Sequence, residues 1–241
     1  MTIKYILLFF LSIIGASDNS WEGTWYRNSL VDNAELVISV VTQDSFHFVL
    51  TAYSGAHTGV IEGNAVLKDN TAICILDSDD DREIHFKLTA HGIVVTTKNC
   101  EGYYGGAGVV FDGNFTSKII PEEELADERL KNIIHDSLLI KKIKNTLGKS
   151  YTSFVYRLHV ISHQKCLDNF NATVIEGCVA GMCDDMAAIV MFTPGKHFYI
   201  AWLEEDKIYY VSSDAKFKNK LPKTISEWKK QFEDVTLIIK Y

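Results

Sequence analysis

The sequence predicts an all-β antiparallel barrel of about eight strands over residues 18–118, then an α+β domain over residues 119–241 with an antiparallel sheet and flanking helices. Three observations lead there. Apolar residues alternate with period two through the first half, helical spacing begins only after Pro121, and short apolar runs return between residues 170 and 239. Period two buries one face of a strand, whereas a period near 3.6 buries one stripe of a helix.

In residues 45–53, Phe46, Phe48, Leu50 and Ala52 fall on one face while His47, Val49 and Thr51 fall on the other. Residues 34–41, 59–67, 83–89 and 92–97 repeat the pattern, and 24–27, 71–76 and 106–111 complete a set of about eight strands. Turn residues separate them: Asp32-Asn33, Ser54-Gly55, Asp69-Asn70, the acidic run 77–81, and the glycine-rich stretch 99–108. No helix-period sequence intervenes, so consecutive strands pair as neighbours and close an antiparallel barrel or sandwich.

Glu122, Glu123 and Glu124 then open a helix whose last turns carry Lys141, Lys142 and Lys144 ahead of Gly148, charges that suit the helix dipole at both ends. Leu130, Ile133, Ile134, Leu138, Ile140, Ile143 and Leu147 supply its apolar stripe, and residues 151–159 suggest a second, shorter helix. Strands are expected at 170–176, 187–193, 197–203 and 207–211, with links short enough for antiparallel neighbours. Thr224-Ile225-Ser226-Glu227 reads as a capping box opening a helix to Phe232, and residues 235–239 make a last strand. The boundary between the two domains is expected near residues 117–121.

Apolar residues make up 47% of the chain, charged residues 23% and aromatics 12%, which excludes disordered and collagen-like chains. The net charge of −7 disfavours nucleic acid as a partner and favours basic proteins. Residues 21–118 hold 6 basic and 13 acidic side chains, whereas residues 119–241 hold 17 of each, so the two halves differ electrostatically. Residues 1–17 read as a cleaved signal peptide: Lys4, an apolar run from Tyr5 to Ile14, then Gly15, Ala16 and Ser17. That run is too short to span a bilayer, so a secreted or periplasmic product with no membrane span is expected.

In an oxidising compartment the five cysteines should pair with one left over. Cys74 and Cys100 are natural partners in the barrel, a bridge that would stabilise by about 3.5 kcal/mol. Cys178 and Cys183 enclose Val179, Ala180, Gly181 and Met182 between two strands. Closing so small a ring contributes only about 2 kcal/mol, so its use is to fix the shape of a loop. Cys166 remains. The competing reading is a zinc site built from His163, Cys166, Cys178 and Cys183, whose spacing is not that of a standard finger.

Residues 171–192, Asn-Ala-Thr-Val-Ile-Glu-Gly-Cys178-Val-Ala-Gly-Met-Cys183-Asp-Asp-Met-Ala-Ala-Ile-Val-Met-Phe, are preceded by helices and followed by Lys196-His-Phe-Tyr-Ile-Ala-Trp202. This stretch resembles the inhibitor of vertebrate lysozyme family of bacterial periplasms over about residues 147–211. The resemblance implies an α+β body from which a disulfide-closed C-x4-C loop protrudes to plug the lysozyme cleft, with an imidazole of the loop bonding the catalytic carboxylates. The family presents a Pro-His-Asp type of sequence there; this chain has Val179, Ala180, Gly181 and Met182. Asp184 and Asp185, just beyond, would repel the cleft's carboxylates. In the first half, Trp21-Glu-Gly-Thr-Trp25 resembles the Gly-x-Trp opening of lipocalin-like barrels, and the two-part arrangement is similar to secreted bacterial proteins.

Trp21, Trp25, Phe46 and Phe48 could line a pocket for an apolar ligand, although a small eight-stranded barrel is normally filled by its own side chains. His47, His57, His85 and His91 are read as solvated rather than metal-binding, and Asp77, Asp79, Asp80 and Asp81 as a solvated turn without the EF-hand pattern. Gly102, Gly105, Gly106, Gly108 and Gly113 match no phosphate-loop motif. The sequons at Asn114 and Asn171 matter only in a eukaryotic secretory route. No nucleophile or metalloprotease motif is present. The expectation is a binding protein without cofactor or metal, not an enzyme, that blocks a basic lysozyme-type cell-wall hydrolase through Cys178, Val179, Ala180, Gly181, Met182 and Cys183. The alternative is an apolar-ligand barrel joined to an interaction module.

Overall fold

The computed structural model describes residues 20–240 apart from Lys196; the expected signal peptide lies outside the described residues. Eight strands follow one another in an up-and-down meander: β1 (Gly23–Arg27), β2 (Ala34–Ser39), β3 (Ser45–Ser54), β4 (His57–Lys68), β5 (Thr71–Asp77), β6 (Arg82–Thr89), β7 (Gly92–Lys98) and β8 (Gly113–Phe115). Every neighbouring pair is antiparallel. Tyr26 and Thr116 exchange two backbone hydrogen bonds of 2.7 and 2.9 Å, which nearly closes the sheet into a barrel.

The alternation does what it predicts. Phe46, Phe48, Leu50 and Ala52 are fully buried, and Phe46, Phe48 and Phe86 stack edge to face with centroids 4.8 to 6.4 Å apart. Trp21 packs on Phe46 at 5.1 Å, and Trp25 donates its indole N–H to the Trp21 carbonyl. The four aromatic residues proposed for an apolar ligand therefore pack together in the barrel's own core. The eighth strand lies later than expected. Residues 106–111 form no strand; Val109 and Phe111 are buried in the barrel core, and Gly105 just before them bridges to Gly59 on β4.

The expected single helix is two, α1 (Glu122–Ile133) and α2 (Ser137–Leu147). Asp136 breaks it: its carboxylate accepts from the amides of Leu138 and Leu139 and caps α2, an arrangement more stable for Asp than a mid-helix position. A short helix, α3 (Tyr151–Tyr156), leads to β9 (Val160–Gln164), a strand the sequence reading missed. Then come β10 (Thr173–Cys178), β11 (Ala187–Phe192), β12 (Phe198–Glu204), β13 (Lys207–Ser212), α4 (Lys223–Lys229) and β14 (Thr236–Ile239), forming a six-stranded sheet in the order β14-β13-β12-β11-β10-β9.

That sheet is mixed, since β14 runs parallel to β13 where an antiparallel strand was expected. The connection through α4 carries the chain back to the end from which β13 started, and a crossover of that kind gives a parallel neighbour. Strands β11 and β12 are apolar on both faces because one face meets α1, α2 and α3 while the other meets α4. The expected capping box does not form. Pro222 precedes the first turn of α4, and Asp168 caps it from a distance by accepting from the amides of Lys223 and Thr224 at 2.8 and 3.0 Å. Leu30 and Val31, in the β1–β2 connection, join the core beneath α1 and α2, so the two sheets share a packed junction. No described helix is long and apolar enough to cross a membrane.

Candidate functional site at the disulfide ring

Strand β10 ends at Cys178, and Cys178 is bonded to Cys183. Between them the chain turns tightly: the Met182 amide donates to the Val179 carbonyl at 2.9 Å, and Gly181 takes a φ of +78°, a left-handed conformation that costs glycine little. The Val179 amide donates to Met186 at 2.9 Å and the Met186 amide to Met182 at 2.8 Å, so the ring joins β10 to β11 without slack. Val179 is wholly buried, Ala180 and Met182 are half-buried, and Gly181, Cys183, Asp184 and Asp185 are exposed.

The ring does not stand free of the body. Both backbone polar groups of Ala180 are taken: its N–H donates to His159 Nδ1 at 3.2 Å, and its carbonyl accepts from the Ala56 amide at 3.1 Å. Ala56 belongs to the two-residue turn between β3 and β4, so the barrel lies against the ring. Because His159 Nδ1 accepts, its proton sits on Nε2, which donates to Asp32 Oδ1 at 3.1 Å. Asp32 also accepts from the Ser54 hydroxyl at 2.9 Å. A chain of hydrogen bonds thus runs from the barrel, through His159, to the ring.

Two glycines make the approach possible. A Cβ on Gly55 would lie 2.5 Å from the Ala180 carbonyl oxygen and 3.1 Å from His159 Nδ1. One on Gly181 would lie 2.9 Å from His57 Nε2. His57, the first residue of β4, is half-buried between Gly106 and Gly181. On the other flank, the Arg129 guanidinium donates to the carbonyls of Leu158 (2.6 Å) and His159 (2.7 Å) and pins the segment that carries His159.

The other cysteines require a correction. Cys74 and Cys100 are both buried free thiols rather than a bridged pair, and Cys166 is also free. Cys74 lies inside the barrel on β5 and would touch a Cβ on Gly63, whereas Cys100 follows β7 and lies within reach of the carbonyls of Lys98 and Glu83. Burial pushes both thiols above their ordinary pKa. The zinc alternative loses two of its ligands to the ring, and no metal-binding cluster occurs among the described residues.

Elsewhere the local readings resolve into ordinary contacts. His47 pairs with Glu62 and His85 with Glu83, and in the acidic run Arg82 meets Asp77 and Asp80 while Lys98 meets Asp81. The residues that sequence reasoning missed are Asp32, Gly55, Ala56 and His159. Ser54-Gly55 was legible as a turn, but nothing in the sequence links that turn to a ring more than a hundred residues away.

A family model described as Inhibitor of vertebrate lysozyme (Ivy) matches residues 139–234. That span starts in α2, takes in α3, the strands β9 to β13, the ring and α4, and leaves out the barrel, α1 and β14. No curated protein and no solved structure matches the chain.

Proposed function

We propose that the chain is an exported binding protein that inhibits a lysozyme-type cell-wall hydrolase, with the Cys178–Cys183 ring and the barrel turn beside it as the contact. The observation that carries this reading is the family match, because its span contains the whole ring and five of the six strands of the sheet that presents it. A closed, hydrogen-bonded ring has lost its conformational freedom before it meets a target, so little ordering cost remains for binding. The net charge of −7 would attract a basic enzyme and raise the encounter rate, an effect that salt screens.

The contact differs from the one the resemblance implies. Asp184 and Asp185 disfavour insertion of the ring between two catalytic carboxylates and favour the basic rim of a cleft. An imidazole is nonetheless present at the tip, since His57 lies against Gly181 although it comes from the barrel. In this reading His57 is a target contact.

The test is inhibition of a panel of basic lysozymes acting on cell-wall substrate at low ionic strength. The intact chain should inhibit at least one of them, less so as salt is raised. Replacing both Cys178 and Cys183 by Ser, or His57 by Ala, should weaken inhibition about tenfold or more with the far-UV spectrum unchanged. Full lysozyme turnover across the panel at a molar excess of the intact chain would refute the reading.

A further inference from the structure

We propose that the free edge of β9 is a strand-addition site for an extended segment in which cationic and apolar side chains alternate. Among the described residues strand β9 is last in the sheet, bonded on one side to β10 and on the other to no strand. All five of its residues, Val160, Ile161, Ser162, His163 and Gln164, are exposed, with Val160 at 53% and Ile161 at 37%. Natural edges are usually guarded by a Lys, a Pro, a bulge or a covering segment, and β9 carries none of the first three. Arg129 holds the backbone just before it, so the edge is already in strand conformation when a partner arrives.

What lies beside the edge decides the occupant. An added strand sends successive side chains to opposite faces, and β9 has a cleft on each face. On the α1–α2 face a cleft of about 480 Å³ is lined by Ile133, Ile134, Ile161, Ile175 and Phe192. On the α4 face a cleft of about 320 Å³ is lined by Val160, Ser162, Glu176, Asp184 and Phe232. Among the described residues neither lining contains a Lys or Arg, whereas Asp136, Glu176 and Asp184 put a carboxylate in the first and two in the second. An aliphatic side chain suits the first cleft, and a Lys or Arg, whose charge meets Glu176 and Asp184, suits the second. The proposal does not require the partner to be a lysozyme.

The probe is a capped ten-residue peptide alternating Lys and Val, added to the intact chain while backbone amide exchange is followed by NMR. Within residues 160–164 one alternate set of amides already bonds to β10; the other set should slow at least about tenfold at saturating peptide. A Glu–Val peptide of the same pattern should leave exchange unchanged. Ser162→Lys should weaken binding of the Lys–Val peptide about tenfold, whereas Ser162→Glu, at the same exposed position, should strengthen it. Three results would overturn the proposal: no binding at about 1 mM peptide, binding without alternate-residue protection, or protection that is already present without peptide and disappears on dilution. The last would mean that a second copy of the chain occupies the edge. If the peptide binds as stated and no lysozyme is inhibited, the strand-addition site stands and the inhibitor reading falls.

Discussion

Gly55→Ala tests whether the barrel turn and the disulfide ring touch in solution. The variant should be destabilised for two separable reasons. Gly55 has a φ of +59° at the first position of a two-residue hairpin turn, where an L-residue costs about 1–2 kcal/mol whatever surrounds it. Its new Cβ would also lie 2.5 Å from the Ala180 oxygen, so the turn and the ring must separate and the Ala56 to Ala180 hydrogen bond is lost. That bond contributes about 1 kcal/mol, and overpacking of a backbone contact adds about 1–3 kcal/mol. Opening the ring with Cys178→Ser and Cys183→Ser should cost about 2 kcal/mol by itself and let Ala180 retreat. The backbone strain then persists in the opened ring while the clash largely disappears. A double-mutant cycle by chemical denaturation should accordingly show Gly55→Ala costing about 1–3 kcal/mol less with the ring open than closed. Additivity within about 0.5 kcal/mol, together with unchanged amide exchange at Ala56 in Gly55→Ala, would refute the contact.

Two further predictions concern chemistry away from the contact. Protein denatured without reductant should release three free thiols, Cys74, Cys100 and Cys166, against five after reduction; finding one would restore the Cys74–Cys100 bridge. Burial alone would raise the Asp214 carboxyl, but donation from the Lys216 amide and the Tyr199 hydroxyl, with the nearby charges of His197 and Lys216, holds it below its ordinary 3.8. A depressed folded-state pKa means stability that is fully present above about pH 4 and is lost as pH falls through the folded value. Asp214→Asn should therefore flatten the fall in stability below about pH 4, measured by urea denaturation at several pH values, and an unchanged acid slope would contradict the assignment.

Most of the barrel was legible because its strands have one buried face. Phe46, Phe48 and Leu50 alternate with His47 and Val49, and such a pattern leaves only one face for the core. The signal failed where burial did not alternate. Strand β9 is exposed on both faces, so Val160-Ile161-Ser162-His163-Gln164 carries no period to read. Residues 106–111 hold buried Val109 and Phe111 at spacing two without being a strand, because an irregular segment packed on the core satisfies the same spacing. The continuous apolar stripe through Ile133 and Ile134 concealed the break at Asp136, which only its capping geometry reveals. For the candidate site, the ring itself was visible from two cysteines in a strand-rich context. Its partners were not, since Asp32, Gly55 and His159 meet it through tertiary packing that no local pattern encodes.

The way the ring is held bears on how any target could engage it. Val179 is buried and both backbone groups of Ala180 are occupied, which leaves Gly181, Met182 and Cys183 as the ring's accessible part. A stable protein interface covers about 800 Å² on each partner, far more than three residues can offer, two of them Gly and Cys. The remainder must come from what flanks the tip, and the flanks are different in kind. On one side is the barrel turn with exposed Ala56 and half-buried His57; on the other are Asp184, Asp185 and the open β9 edge. The turn lies outside residues 139–234, so a target that met it would be reading a surface absent from the matched unit. Under the proposed function the barrel would form part of the contact: it fixes Ala180 through Ala56, places an imidazole against Gly181, and would narrow the directions from which a partner reaches the ring.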